Sequence, residues 1–157
     1  MENKNIFYQL SVIIMILVLA SFAYSFTKNK ELVEKLELPL AVITYENATS
    51  DNIVTELPFP GAVTGKEFYV IGKARGNWFF EASFPVTLLD KDGSVFVNTY
   101  ATAEGEWMTT EFVPFKADLK VGDSNYIGKG TLILKKDNPS GDSIRDASVS
   151  FEINIEY

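Results

Sequence analysis

The chain has 157 residues, 46% hydrophobic and 13% aromatic, enough for one real core plus an appendage and too much for global disorder. Its net charge of −7 argues against a nucleic-acid partner, because phosphate binding needs clustered Lys and Arg. The absence of Cys and His removes disulfides, an acylated-Cys lipid anchor, thiol nucleophiles, imidazole acid–base chemistry and Cys/His zinc sites.

A short polar start with Lys4 leads into an apolar run over residues 6–26, centred on VIIMILVLA at 12–20. Gln9, Ser11, Ser21 and Ser25 interrupt it, none of them charged, and its length is close to the ~20 residues that span a bilayer as a helix. Ser21-Phe22-Ala23 and Ala23-Tyr24-Ser25 also fit the small-x-small pattern of signal-peptide cleavage. The run is longer than a usual signal core, so residues 1–26 are expected to form a retained transmembrane anchor, with a cleaved signal peptide as the alternative. Lys28 and Lys30 follow directly, so loop charge sets orientation only weakly. The remainder is placed outside the membrane because it reads as a secreted module.

Residues 27–52 read as a linker or stalk. KNKELVEKLEL at 28–38 mixes charges with Leu32, Val33, Leu36 and Leu38, and predicts a short helix stopped by Pro39. Residues 40–45 are apolar and β-prone, either an extra strand or an extended lead-in. Asn47-Ala48-Thr49 matches a glycosylation sequon and is read as a loop.

From Ile53 to Tyr157 the pattern is all β. A short strand at 53–57 is closed by LPFPG, whose two prolines place it at an edge or just entering the sheet. Residues 68–74 alternate with Phe68, Val70, Gly72 and Ala74 on one side, and Arg75-Gly76-Asn77 predicts a turn. The most apolar stretch of the soluble part follows, ARGNWFFEASFPVTLLD at 74–90. Period-two alternation assigns Trp78, Phe80, Ala82, Phe84, Val86 and Leu88 to one buried face of a central strand. Asp92-Gly93 signals a hairpin turn. Further strands are predicted at 94–103, at 107–119 with Pro114 marking a bulge or edge, and at 129–135. The chain ends in a strand at 148–157, with Val149, Phe151, Ile153 and Ile155 facing inward. Seven strands with turns about every dozen residues predict an all-β fold, an immunoglobulin-like β-sandwich of about seven strands, preceded by the N-terminal transmembrane helix.

Chemistry is sparse. Asp90-Lys91-Asp92-Gly93 has a superficial likeness to a calcium loop. The closing Glu is out of register, however, so the segment reads as a hairpin turn. Glu81 and Asp90 are an odd number of residues apart, on opposite faces of a strand, and make no acid–base pair. Glu81 is expected to be a solvent-face residue or a partner for Arg75 or Lys73. Gly72 and Gly76 make no phosphate loop, since no helix follows. No catalytic, cofactor or metal residue is assigned. Phe79, Tyr100 and Trp107 are candidates for an exposed aromatic platform that takes a sugar or a partner chain; second-layer core is the competing reading.

The motifs LPFPGAVTG (57–65), FYVIGKARGNWFFEASFPVTLLDKDG (68–93), GEWMTTEFVPFKADL (105–119) and GTLILKKDNPSGD (130–142), in that order, resemble the bacterial spore-germination immunoglobulin-like domain, the second domain associated with GerMN. The G-x-A-x-G-x-W-F-F-E run at 72–81 and W-M-T-T at 107–110 are the most specific of them. The resemblance implies an extracytoplasmic immunoglobulin-like module attached to an envelope or germination protein, with no catalytic residue to carry over. With one such module after a membrane segment, the expectation is a non-enzymatic, membrane-tethered envelope protein. Its partner would be an envelope protein or a cell-wall polymer, its membrane contact residues 6–26. The alternatives are a carbohydrate-binding module using exposed aromatics, and an accessory or inhibitor domain for an envelope hydrolase.

Overall fold

The computed structural model describes residues 2–36, 41–122 and 125–156. The expected helix stop at Pro39 and the last residue of the final strand, Tyr157, lie outside them. The chain divides into two compact units, Met1–Pro39 and Leu40–Tyr157.

The first unit is one helix, α1 (Glu2–Leu36), of 35 residues. At 1.5 Å per residue it is about 52 Å long, against about 30 Å for a bilayer's hydrocarbon core. Its segment from Val12 to Lys30 is long and apolar enough to cross a membrane. Within this unit Ile13 to Leu19 are all more than half exposed. The separate short helix expected after the apolar run is instead a direct continuation of it. No Pro or Gly occurs between Phe26 and Leu36 to stop the helix.

The second unit is mostly β. Its nine strands among the described residues are β1 (Thr44–Glu46), β2 (Ile53–Leu57), β3 (Val63–Thr64), β4 (Glu67–Arg75), β5 (Ser83–Leu89), β6 (Val95–Ala103), β7 (Phe112–Lys120), β8 (Gly128–Lys135) and β9 (Ser148–Ile155). The seven expected strands correspond to β2 and β4–β9. Of the two additional strands, β1, three residues long, overlaps the extra strand offered for residues 40–45, and β3, two residues long, is too short for any periodicity to register. β1 lies inside the expected stalk and pairs with β9 through Thr44–Ser150, Tyr45–Val149 and Glu46–Ser148. The β-unit therefore begins well before Ile53.

The strands join in the order β1-β9-β8-β5-β6-β7-β4-β2, with β3 parallel to β9. β6 and β7 share only the pairs Thr102–Lys116 and Ala103–Phe115, whereas β4 and β7 pair along their whole length. The sheet curls at this junction. Phe84 on β5 and Phe115 on β7 meet with ring centroids 4.9 Å apart, although strands flanking a third in a flat sheet are about 10 Å apart. The inner face buries Phe84, Val86 and Leu88 of β5, Leu132 and Leu134 of β8, and Val149, Phe151, Ile153 and Ile155 of β9, in the alternation read from the sequence.

The segment at 74–90 is not one strand. β4 ends at Arg75, a 3-10 turn covers Gly76–Trp78, and β5 starts only at Ser83. Between them Phe80 and Ser83 exchange backbone hydrogen bonds, 2.9 and 3.1 Å, around Glu81 and Ala82. Both of those residues are left-handed, at φ 50° and 62°, which makes a tight primed hairpin turn. The turn shifts the phase of the alternation. Trp78 is buried as expected, but Phe79 takes the next core position and Phe80 is 41% exposed. Phe79 packs edge-on to Phe84 at 5.2 Å.

Candidate binding surfaces

The two most specific motifs touch one another, and the contact explains their residues. A Cβ on Gly72 would lie 2.2 Å from the Val54 carbonyl oxygen and 2.8 Å from the Phe115 ring. A Cβ on Gly76 would lie 1.9 Å from the Thr109 carbonyl oxygen and 2.3 Å from that of Trp107. The W-M-T-T loop thus lies directly on the end of β4, and only glycine leaves room for it. Arg75 fastens the same loop. Its Nη1 donates to the Thr110 carbonyl at 3.2 Å and its Nε to that of Asp51 at 3.0 Å. The guanidinium lies 4.1 Å over the Phe112 ring and 3.6 Å from Glu111. Of the two readings of Glu81 the solvent-face one holds: it sits exposed in the primed turn, while Arg75 pairs with Glu111 and Lys73 lies over Phe112 at 5.3 Å. These motif residues build architecture.

The three candidate aromatics separate. Phe79 is 4% exposed and belongs to the core, so it is not part of an exposed platform. Trp107 lies in the loop before β7 rather than in a strand. It is half-buried, packs on the core, and borders a shallow depression of about 440 Å³ with Asn77, Met108 and Thr109. Met108 in that rim is 74% exposed. Tyr100 is 61% exposed on the outer face of β6, paired across the strands with Pro85. The neighbouring outer-face pair, Thr87 and Asn98, is hydrogen-bonded at 2.7 Å. Tyr100 is therefore exposed and Trp107 half-exposed, one on a strand face and the other in a loop.

The Asp90–Gly93 segment is a hairpin turn. Asp90 Oδ1 accepts the backbone N–H groups of Asp92 and Ser94, both at 2.8 Å, and Gly93 is left-handed at φ 82°. The Lys91 ammonium reaches the Asp92 carboxylate at 2.6 Å; that hydrogen bond and charge hold the Lys91 pKa above its ordinary value. Tyr126 supports the turn, accepting the Lys91 N–H at 3.1 Å and donating to the Lys129 carbonyl at 2.6 Å. Both aspartates therefore have local partners. Among the described residues no group of three or more carboxylates converges on a point that could hold a metal ion.

A different apolar surface went unnoticed in the sequence. Leu57, Phe59, Val63 and Tyr69 are each 50–60% exposed and line a groove of about 330 Å³ with Ala62 and Phe68. The available signal was a pair of large apolar residues, Leu57 and Phe59, set among prolines where no strand can bury both.

No curated protein and no solved structure matches the chain. The family described as the immunoglobulin-like domain of bacterial spore germination matches residues 52–143. The match takes in β2 to β8 and both interlocking motifs, more than half of the 157 residues. The chain belongs to that family, the immunoglobulin-like domain of bacterial spore germination, a non-catalytic one.

Proposed function

We propose that the protein is a membrane-tethered, extracytoplasmic binding module, with α1 as its retained signal anchor and the β-unit as an immunoglobulin-like sandwich that engages an envelope protein or a cell-wall polymer. Family membership carries this reading. The uncovered apolar helix supports the tether. The few hydrogen-bonded pairs between β6 and β7 support a sandwich, since they set β2-β4-β7 and β9-β8-β5-β6 apart as two layers joined at one corner. Tyr100 and Trp107 are the side chains assigned to partner contact.

The test uses the full-length chain in detergent micelles, sedimented with insoluble peptidoglycan and in parallel cross-linked to envelope extract. Retention on one of the two, weakened by Trp107→Ala or Tyr100→Ala without loss of folded signal, is the expected result. Turnover of peptidoglycan or peptide by the purified protein, abolished by a single acidic substitution, would overturn it. Binding restricted to free sugars on a glycan array would transfer the assignment to a carbohydrate-binding module.

A further inference from the structure

The groove formed by Leu57, Phe59, Val63 and Tyr69 lies at one end of the β-unit, and it is the end where the chain arrives from α1. A Cβ on Gly61 would meet the Cβ of Ala41 at 3.2 Å, so the first described residue of the β-unit lies against the LPFPG loop itself. The register agrees. β1 runs antiparallel to β9 from Thr44 opposite Ser150, which carries the preceding residues toward the Ile155 end. Gly61 donates to the Glu152 carbonyl at 2.7 Å, and Val63 and Thr64 pair with Asn154 and Ile155. Met108 and Ile144 lie toward the opposite end. The 107–109 loop rests on Gly76, past the far end of β4, and Asp146 follows Ile144 just before Ser148 begins β9.

Chain length limits how far this end stands from the membrane. From Lys30, where the apolar window ends, to Leu36 is about 9 Å of helix. The five steps from Leu36 to Ala41 add at most ~18 Å. Their sum is smaller than the width of roughly 35 Å expected of a domain this size. The groove thus lies beside the residue at which a short leash enters the β-unit, which makes the lipid the occupant to consider. Its chemistry suits that occupant. Apolar and aromatic side chains project from a loop and a strand end, and the Lys116 ammonium lies 3.8 Å over the Tyr69 ring. Lys120, at the same end, pairs with Glu67. Large apolar anchors with an amphipathic aromatic and snorkelling lysines are the set that settles at a headgroup layer.

We propose that this face docks on the lipid surface, inserting Leu57, Phe59 and Val63 into the interfacial layer, so that the β-unit is seated and its opposite end, with Trp107 and Met108, is turned away from the membrane. The inference rests on the membrane-tether reading above, and the experiment separates the two.

Because the chain has no Cys, one introduced cysteine gives a unique label. Full-length Val63→Cys and, separately, Ile144→Cys, each carrying an environment-sensitive fluorophore, are reconstituted into phosphatidylcholine vesicles. Flotation first establishes whether the chain is in the membrane. The expected result is a severalfold rise and blue shift of emission at position 63, with quenching by a shallow nitroxide lipid. Position 144 should show neither change. Adding Leu57→Asp and Phe59→Asp should abolish the change at 63 while the protein still floats. A floating protein whose position-63 label remains water-exposed overturns the docking alone; failure to float overturns the tether as well. A signal at 63 that vanishes when protein is diluted in excess lipid, without nitroxide quenching, assigns the groove to a second copy of the chain and also overturns the proposal.

Discussion

Replacing Gly76 with Ala puts a methyl group where two backbone carbonyl oxygens already are, 1.9 and 2.3 Å away. Neither is the end of a flexible side chain, so the 107–110 loop must lift off β4. Lifting it breaks the Gly76 N–H bond to the Glu111 carbonyl, 3.2 Å, and the Arg75 bond to the Thr110 carbonyl, 3.2 Å. At about 1 kcal/mol net for each hydrogen bond, these cost about 2 kcal/mol. Partial exposure of Trp107 adds about 1 kcal/mol at 25 cal/mol per Å² for some 40 Å² uncovered. Alanine also restricts the unfolded chain, which offsets roughly 0.4–1 kcal/mol. The net expectation is a loss of about 2 kcal/mol. Urea titration of the full-length chain in micelles, followed by tryptophan emission, reads it directly, because Trp78 and Trp107 both belong to the β-unit. Gly122→Ala is the control: among the described residues nothing lies within 4 Å of its Cβ, so it should be neutral or slightly stabilising. If Gly76→Ala were as stable as the parent, the motif-on-motif contact would not be what requires glycine there.

Trp78→Ala removes a side chain that is 1% exposed and edge-on to Phe84 at 6.4 Å. It should cost about 3–5 kcal/mol in the same titration; a loss below about 1 kcal/mol would remove Trp78 from the core. Replacing Glu81-Ala82 with Asn-Gly relieves two left-handed non-glycine residues and should stabilise by about 1 kcal/mol or more, seen as a higher urea midpoint with an unchanged slope. The Asn138 amide donates to the Asp146 carboxylate at 2.9 Å and, with Lys135, holds its pKa below the ordinary carboxylate value. Since the folded value is the lower one, this contribution to stability is present above the unfolded pKa and is lost as pH falls through the folded value. Asn138→Ala should move the Asp146 titration upward by NMR and reduce the acid dependence. Intact-mass analysis of membranes should find the full chain, and a mature N-terminus at Tyr24 or Phe26 in the medium would refute the retained anchor.

The strands were legible where one face is buried and the other is wet. β9 is the clearest case, with every inward residue assigned from alternation alone. Alternation failed at residues 79–82 because a primed turn there is built from Glu and Ala, residues that carry none of the Asn-Gly or Asp-Gly chemistry by which such turns are recognised. The phase error exchanged Phe79 and Phe80, and so promoted a core residue to a binding candidate. β3 was invisible because two residues have no period, and β1 stayed open between an extra strand and a lead-in because the pairing of both is decided by β9, about a hundred residues away in the chain. The helix beyond Phe26 was read as a separate element because its composition changes there, although nothing in its backbone chemistry stops it.

The same comparison explains why the fold was easier to read than the partner. Gly72, Arg75, Gly76, Trp78 and the 107–110 loop carry the resemblance read from the sequence, and each is required by backbone clearance, a hydrogen bond or core packing. A motif of that kind specifies how β4 meets β7 and the loop before it, and carries no information about what the exposed surface binds. Binding must then be sought among exposed side chains, and among the described residues the groove at Leu57–Tyr69 and the rim at Met108 lie at opposite ends of the β-unit, with Tyr100 on the outer face of β6. The Leu57–Tyr69 groove is tied by Ala41 to the tether end. The Met108 rim is tied by Gly76 to the far end. If the tether end is seated on lipid as proposed, the other end is the one left to an envelope partner. The two assignments therefore support each other through geometry and fail separately by experiment.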